Sequence, residues 1–175
     1  MLKLCASLCI LSLALTVAGG PGFAKSGDMI DDAVVLCGAW LMQPDKFDAE
    51  VKLRGYDKGP GGNLGRSWEA QSYSRDGRYL TMFEINYIDA KSKTCTATSA
   101  VAGTIADFEE LRARLADDPV LGRFSGEVGT PPGAGKIVLS TFKRAGANPF
   151  VLLSGTSTAS FVTITLTRTD FSKAN

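Results

Sequence analysis

The chain contains no histidine. That absence removes the usual general base of serine and cysteine hydrolases and the commonest zinc ligand. Cysteine is scarce, at four residues in 175, and none stand in Cys-x-x-Cys spacing, which excludes a thioredoxin-like site or a zinc ribbon. No Asp-x-Asp-x-Asp-Gly calcium loop occurs either, so no metal and no cofactor is expected. An excess of one charge is also missing: 19 Lys+Arg stand against 18 Asp+Glu, with the signs alternating along the chain. Nothing gathers to hold a phosphate backbone, so nucleic acid is not an expected partner. Nor does any apolar run reach the roughly 20 residues that cross a bilayer.

The longest apolar run lies at the start. Lys3 precedes an apolar stretch at residues 4–17, and small residues follow, with Gly22 and Ala24 fitting the −3 and −1 positions of a signal-peptidase site. The expectation is an exported chain cleaved after Ala24, periplasmic or extracellular, with no transmembrane anchor after cleavage. Removing 24 of the 175 residues leaves 151, enough for one domain with its own core, and takes away Lys3, so the remainder is formally neutral. Cys5 and Cys9 leave with the leader. Cys37 and Cys95 remain, an even pair in a chain bound for an oxidising compartment, and the expectation is a disulfide between them.

The organising stretch is 94–119. Residues 94–101 read as a strand, and Gly103 leads into a helix at 105–116. Thr104 takes the N-cap position, Asp107 the capping-box position, and Phe108, Leu111 and Leu115 form an apolar stripe. Upstream, 28–42 reads as a helix with Met29, Ala33, Leu36, Cys37, Trp40 and Leu41 on one stripe, ended by Pro44. Residues 45–55 fit a short second helix with Gly55 just past its end, although Ala49, Val51 and Leu53 also alternate as a strand would. The glycine-rich 58–65 reads as a loop. Strands at 66–74 and 78–89 flank Arg75-Asp76-Gly77, a strong hairpin signal. In the second strand Tyr79, Thr81, Phe83, Ile85 and Tyr87 share a face opposite Leu80, Met82 and Glu84, which predicts a central strand whose aromatic side is covered. A linker at 119–135 and β-prone runs at 136–143, 150–154 and 160–168 complete the pattern. It predicts a single α+β domain over 25–175, helices packed on an antiparallel β-sheet and pinned by Cys37–Cys95.

Motifs for chemistry are weak throughout, and no catalytic or ligand-binding residue is assigned. Ser140 and Lys143 match a Ser-x-x-Lys spacing, but residues three apart on a strand point to opposite faces, and the companion motifs are missing. Gly59–Gly65 lacks dinucleotide spacing, and Gly133-Ala-Gly-Lys136 lacks the first glycine and the Ser/Thr of a phosphate loop. The carboxylate pairs Asp31/Asp32, Glu109/Glu110 and Asp117/Asp118 fall at helix ends or on helix faces and read as solvated surface. Glu84 differs, lying among apolar neighbours, and is either paired to a cation or part of a site. Trp68, Tyr73, Tyr79, Phe83 and Tyr87 could line a groove for a peptide or sugar, although period-two aromatics more often face a core. Thr163, Thr165 and Thr167 form one polar row, which signals ice or carbohydrate binding only if neighbouring strands repeat it. The expectation is a small exported non-catalytic binding or structural domain, its partner an unidentified protein, envelope component or small ligand. The alternatives are a histidine-free hydrolase using Glu84 or Ser140/Lys143, and a secreted inhibitor presenting the 58–65 or 130–135 loop.

Overall fold

The computed structural model describes residues 26–63, 67–118, 121, 124–132, 136–144 and 150–171; the expected leader and its cleavage point lie outside them. The N-terminal stripe folds as anticipated. Helix α1 (Ser26–Asp32) runs through one π-helical turn (Ala33–Cys37) into α2 (Gly38–Met42), with Met29, Ala33, Leu36, Cys37 and Leu41 buried. The wider π turn brings Val34 into the core beside Leu36 and Cys37. Pro44 does more than stop this helix: it occupies the first turn of α3 (Pro44–Leu53), where its missing N–H costs nothing. The segment that also alternated as a strand would is therefore helical as far as Leu53, burying Phe47 and Val51, and Gly55 follows just past its end with φ 68°.

Four strands then run as a meander: β1 (Asp57–Asn63), β2 (Trp68–Arg75), β3 (Arg78–Asn86) and β4 (Ala90–Ser99). Asp76 (φ 45°) and Gly77 (φ 74°) turn the β2–β3 hairpin in the left-handed conformation that Asp-Gly supplies. Helix α4 (Ile105–Leu115) carries the chain away from β4. Its capping box is formed: Thr104 Oγ1 accepts from the Asp107 N–H at 3.2 Å, and Asp107 accepts from the Thr104 N–H at 2.6 Å. Short strands β5 (Phe124–Ser125) and β6 (Val128–Gly129) occupy part of the expected linker, and β7 (Ile137–Arg144), β8 (Phe150–Ser157) and β9 (Val162–Phe171) return. Every pairing is antiparallel, in the order β1-β2-β3-β4-β9-β8-β7-β5, with β6 also on β7.

The helices lie on one face of this sheet. Leu80, Met82, Cys95, Ala97, Leu153, Ile164 and Leu166 point to that side and join Leu36, Leu41, Phe108 and Leu111 in one buried core. Cys37 and Cys95 are bonded (S–S 2.01 Å, Cα–Cα 5.4 Å), fixing the N-terminal helix to the fourth strand. The α+β arrangement and its staple match the sequence expectation.

Two expectations are corrected. Residues 58–65 are not simply a loop: 57–63 form β1, an outermost strand bonded on one side, which tolerates Pro60 at a register irregularity between Lys58 and Gly61. Glycine is needed there because a Cβ on Gly61 would stand 2.9 Å from the Ala70 carbonyl oxygen. The second correction concerns β3, which is interior, but its helix-facing side is the aliphatic one (Leu80, Met82). The aromatic side is open, with Tyr79 54% exposed.

Candidate functional site

Directly opposed residues of antiparallel strands share a face, so the registers define the open side of the sheet row by row. Ser74, Tyr79, Thr98, Thr163 and Thr156 form one row across β2, β3, β4, β9 and β8. The next row is Ser72, Thr81, Thr96, Thr165 and Ser154, a hydroxyl on every strand. Ala70, Phe83, Thr94, Thr167 and Leu152 follow, and then Trp68, Ile85, Ser92 and Thr169. The threonine row anticipated on β9 is thus repeated on β4. These side chains are half-buried or exposed, and none is buried; the helices pack on the other face.

The β4–β9 seam is a ladder of hydroxyl pairs. Oxygens stand 3.3 Å apart in Ser92/Thr169, 3.1 Å in Thr94/Thr167, 3.2 Å in Thr96/Thr165 and 3.2 Å in Thr98/Thr163. Each such cross-strand pair stabilises the sheet by about 0.2–1 kcal/mol. A hydroxyl has one proton and two lone pairs, so each pair consumes one of each internally and still presents an O–H and lone pairs outward. Beside the ladder stand the aromatic groups of β3 and β2, Tyr79, Phe83 and Trp68, the last 47% exposed. On β2, β3, β4, β9 and β8 no open-face position carries an ionisable group other than the Tyr79 phenol, in a chain that is 21% charged. The first carboxylate at the β1 margin is Asp57, opposite Ser74.

The remaining aromatic candidates separate. Tyr73 lies on the helix side, edge-on to Phe47 at 5.5 Å between ring centres. Tyr87 is exposed in the β3–β4 turn. No single groove gathers all five.

Glu84 also faces the helix side, where it is opposite Glu69 and borders a cleft of about 220 Å³ with Trp40, Gln71 and Asn63. Lys91 and Lys93 both pair with it, Lys93 at 3.3 Å, and Lys93 also lies 5.1 Å over the Trp40 ring. Burial disfavours the ionised carboxyl, but hydrogen bonds and charge from the two lysines outweigh it and hold the pKa below the ordinary range. Glu84 is thus a carboxylate kept charged, the opposite of what a general acid needs. Ser140 and Lys143 fall on β7, an extended backbone without the helical turn their pairing would require; their side chains lie outside the described residues.

Asp31/Asp32 departs from the solvated-surface reading. Asp32 is 2% exposed. Its carboxylate accepts from Arg54 Nη1 (2.8 Å), Arg78 Nη1 (2.9 Å) and the Tyr56 hydroxyl (2.6 Å), while Arg78 Nη2 also donates to Asp28 (3.0 Å). Asp31 accepts from Arg54 (2.6 Å) and pairs with Arg114 (2.7 Å). Burial and then the adjacent Asp32 push the Tyr56 phenol above its usual value. These groups tie α1 to the β1 side of the sheet through the Nη atoms of the two arginines, while Arg54 Nε and Arg78 Nε are buried without a hydrogen-bond partner among the described residues. Sequence spacing gave no sign of the knot, because its partners are 22 to 46 residues from Asp32.

Glu109 pairs with Arg112 on the surface of α4, and Asp118 accepts from the Leu121 N–H at 2.7 Å. Thr130 and Pro131 border a shallow hollow of about 450 Å³ with Gly103 and Ser157; residues 133–135 of the second glycine loop lie outside the described residues. Among the described residues, no group of three or more metal-ligating side chains converges and no helix is long and apolar enough to cross a membrane. No family model, no curated protein and no solved structure matches this chain.

Proposed function

We propose that this protein is an exported, non-catalytic binding module whose contact surface is the open face of its sheet. One observation carries the reading: five adjacent strands turn a half-exposed face without a charged side chain toward solvent, although charged residues are common elsewhere in the chain. Ordinary solvated surface mixes charges of both signs; a broad patch without them suits contact with another molecule. Export to the periplasm or the cell exterior is supported by the leader-like N-terminus and by the Cys37–Cys95 bond, which persists in an oxidising compartment. Glu84, the carboxylate singled out for acid–base chemistry, is disfavoured as a general acid because Lys91 and Lys93 both pair with it.

The test is co-sedimentation of mature protein with its own envelope fraction, comparing wild type with Thr96→Lys/Thr165→Lys. That double substitution sets two cations in the middle of the ladder while leaving the helix-side core intact. Wild type is expected in the pellet and the variant in the supernatant, with the same circular dichroism and the same disulfide. Equal distribution of two folded proteins would remove the open face from the reading.

A further inference from the structure

We propose that the occupant of the open face is a neutral polysaccharide chain lying along β3, β4 and β9, with sugar rings against Tyr79 and Phe83 and sugar hydroxyls on the threonine ladder. The inference rests on the binding-module reading and adds the ligand's chemical class.

The arrangement of groups argues for it. Strands lie about 4.8 Å apart and alternate residues about 6.7 Å apart, so the Tyr79/Phe83 column runs directly beside the Thr94/Thr96/Thr98 column, one strand away. A pyranose has an apolar C–H face and an equatorial rim of hydroxyls. Set over the aromatic column, its C–H face meets rings and its rim reaches the ladder. Each hydroxyl pair there presents one free O–H together with acceptor lone pairs, and matches a polyol, which carries both donors and acceptors. Trp68, one strand further out at the end of the column, extends the stacking surface.

Charge argues against ionic polymers over these five strands, the register placing Lys143 of β7 opposite Leu152 at their margin, and packing argues against a second copy. A uronate, sulfated or phosphorylated polymer would bring anions to a face with no cation on β2, β3, β4, β9 or β8, leaving them desolvated and unpaired. A polyamine-like chain would find no carboxylate on those strands. A second copy stacked face to face would need large apolar side chains that interdigitate across about 10 Å, whereas two opposed threonine ladders would bury hydroxyls without assured partners.

Affinity electrophoresis of the mature, oxidised protein provides the test, in gels containing a neutral β-1,4-glucan, β-1,3-glucan, α-glucan, mannan or galactan, with polygalacturonate and chitosan as charged comparisons. Retardation is expected in at least one neutral gel and in neither charged gel. Tyr79→Ala, and separately Thr96→Val/Thr165→Val, should each weaken that retardation on the order of tenfold, the scale of one lost stacking contact or of two lost hydrogen bonds. Glu84→Gln, on the opposite face, should leave it unchanged. Migration unaffected by every neutral polymer, retardation by charged polymers alone, or retardation insensitive to both open-face variants would overturn the proposal. So would a wild-type dimer in sedimentation velocity that Thr96→Lys/Thr165→Lys dissociates, or ladder-dependent adsorption to ice. The envelope experiment keeps the two readings apart: face-dependent pelleting with no neutral glycan bound would overturn the ligand class alone, and face-independent pelleting would overturn both.

Discussion

Replacing Asp32 by alanine should cost more stability than any other change of one polar side chain in the knot beneath α1. The carboxylate is 2% exposed and takes hydrogen bonds from Arg54, Arg78 and Tyr56 at 2.6 to 2.9 Å. Without it, Arg78, 5% exposed, keeps one ionic partner among the described residues, Asp28, whose side chain is 57% exposed and screened by water. Breaking a buried ion pair from one side costs about 3–5 kcal/mol. The Tyr56 hydroxyl would lose its acceptor as well, about 1–3 kcal/mol taken alone; the two share one network and do not add. The expected total for Asp32→Ala is about 4 kcal/mol, much of the about 5–15 kcal/mol that holds an ordinary domain together. With a urea slope of about 2 kcal/mol per molar, the midpoint should fall by about 2 M, read by tryptophan fluorescence and far-ultraviolet dichroism together. Asp32→Asn keeps the acceptor oxygen but not the charge and should fall between wild type and alanine. A loss under about 1 kcal/mol for Asp32→Ala would show that the knot is dispensable and refute the argument.

The staple closes a sequence separation of 58 residues, so Cys37→Ala/Cys95→Ala should lower stability by about 4 kcal/mol in the chain-entropy account, measured by denaturant titration; an unchanged midpoint would contradict it. Gly61→Ala should cost about 1–3 kcal/mol through its collision with the Ala70 carbonyl, and hydrogen exchange should localise the damage to β1 and β2. Protection that stays at wild-type level in both strands would dismiss the contact. The pKa of Glu84 is depressed in the folded protein, so its stabilisation is complete above the unfolded value of about 4.3 and disappears as pH falls through the folded value. The melting-temperature gap between wild type and Glu84→Gln should therefore hold from pH 7 to about 5 and close on further acidification; a gap independent of pH would assign it to packing instead.

Local signals were legible wherever one segment carried the whole message. The Thr104/Asp107 capping box, the Asp76-Gly77 turn and the apolar stripe through Met29, Leu36 and Leu41 each fix an element by themselves, and each stands where the sequence puts it. The disulfide followed from elimination. What escaped detection needed a second segment to make sense. Residues 57–63 have no apolar period and become a strand only because β2 offers a partner. Asp32 looked like dipole-favoured surface until residues 54, 56 and 78 closed over it. The threonines at 163, 165 and 167 were visible as one row; their partners at 94, 96 and 98 lie on a strand separated from them by a helix and four other strands. Period two in β3 separated its two faces correctly but not which of them the helices would choose. Aromatic bulk suggested the covered side, whereas Leu80 and Met82, aligned with Cys95 and Ala97, took it.

The junction of β4 with β9 bears on how the chain can be built. The ladder joins side chains 65 to 77 positions apart, and the later partner is supplied by the last strand described. During synthesis the first meander is complete long before its neighbour emerges, and β4 must wait with a full row of unmet amide and carbonyl groups. Loss of the terminal strand would therefore expose the middle of the sheet rather than trim its border, and a chain released early would be prone to pair with its siblings.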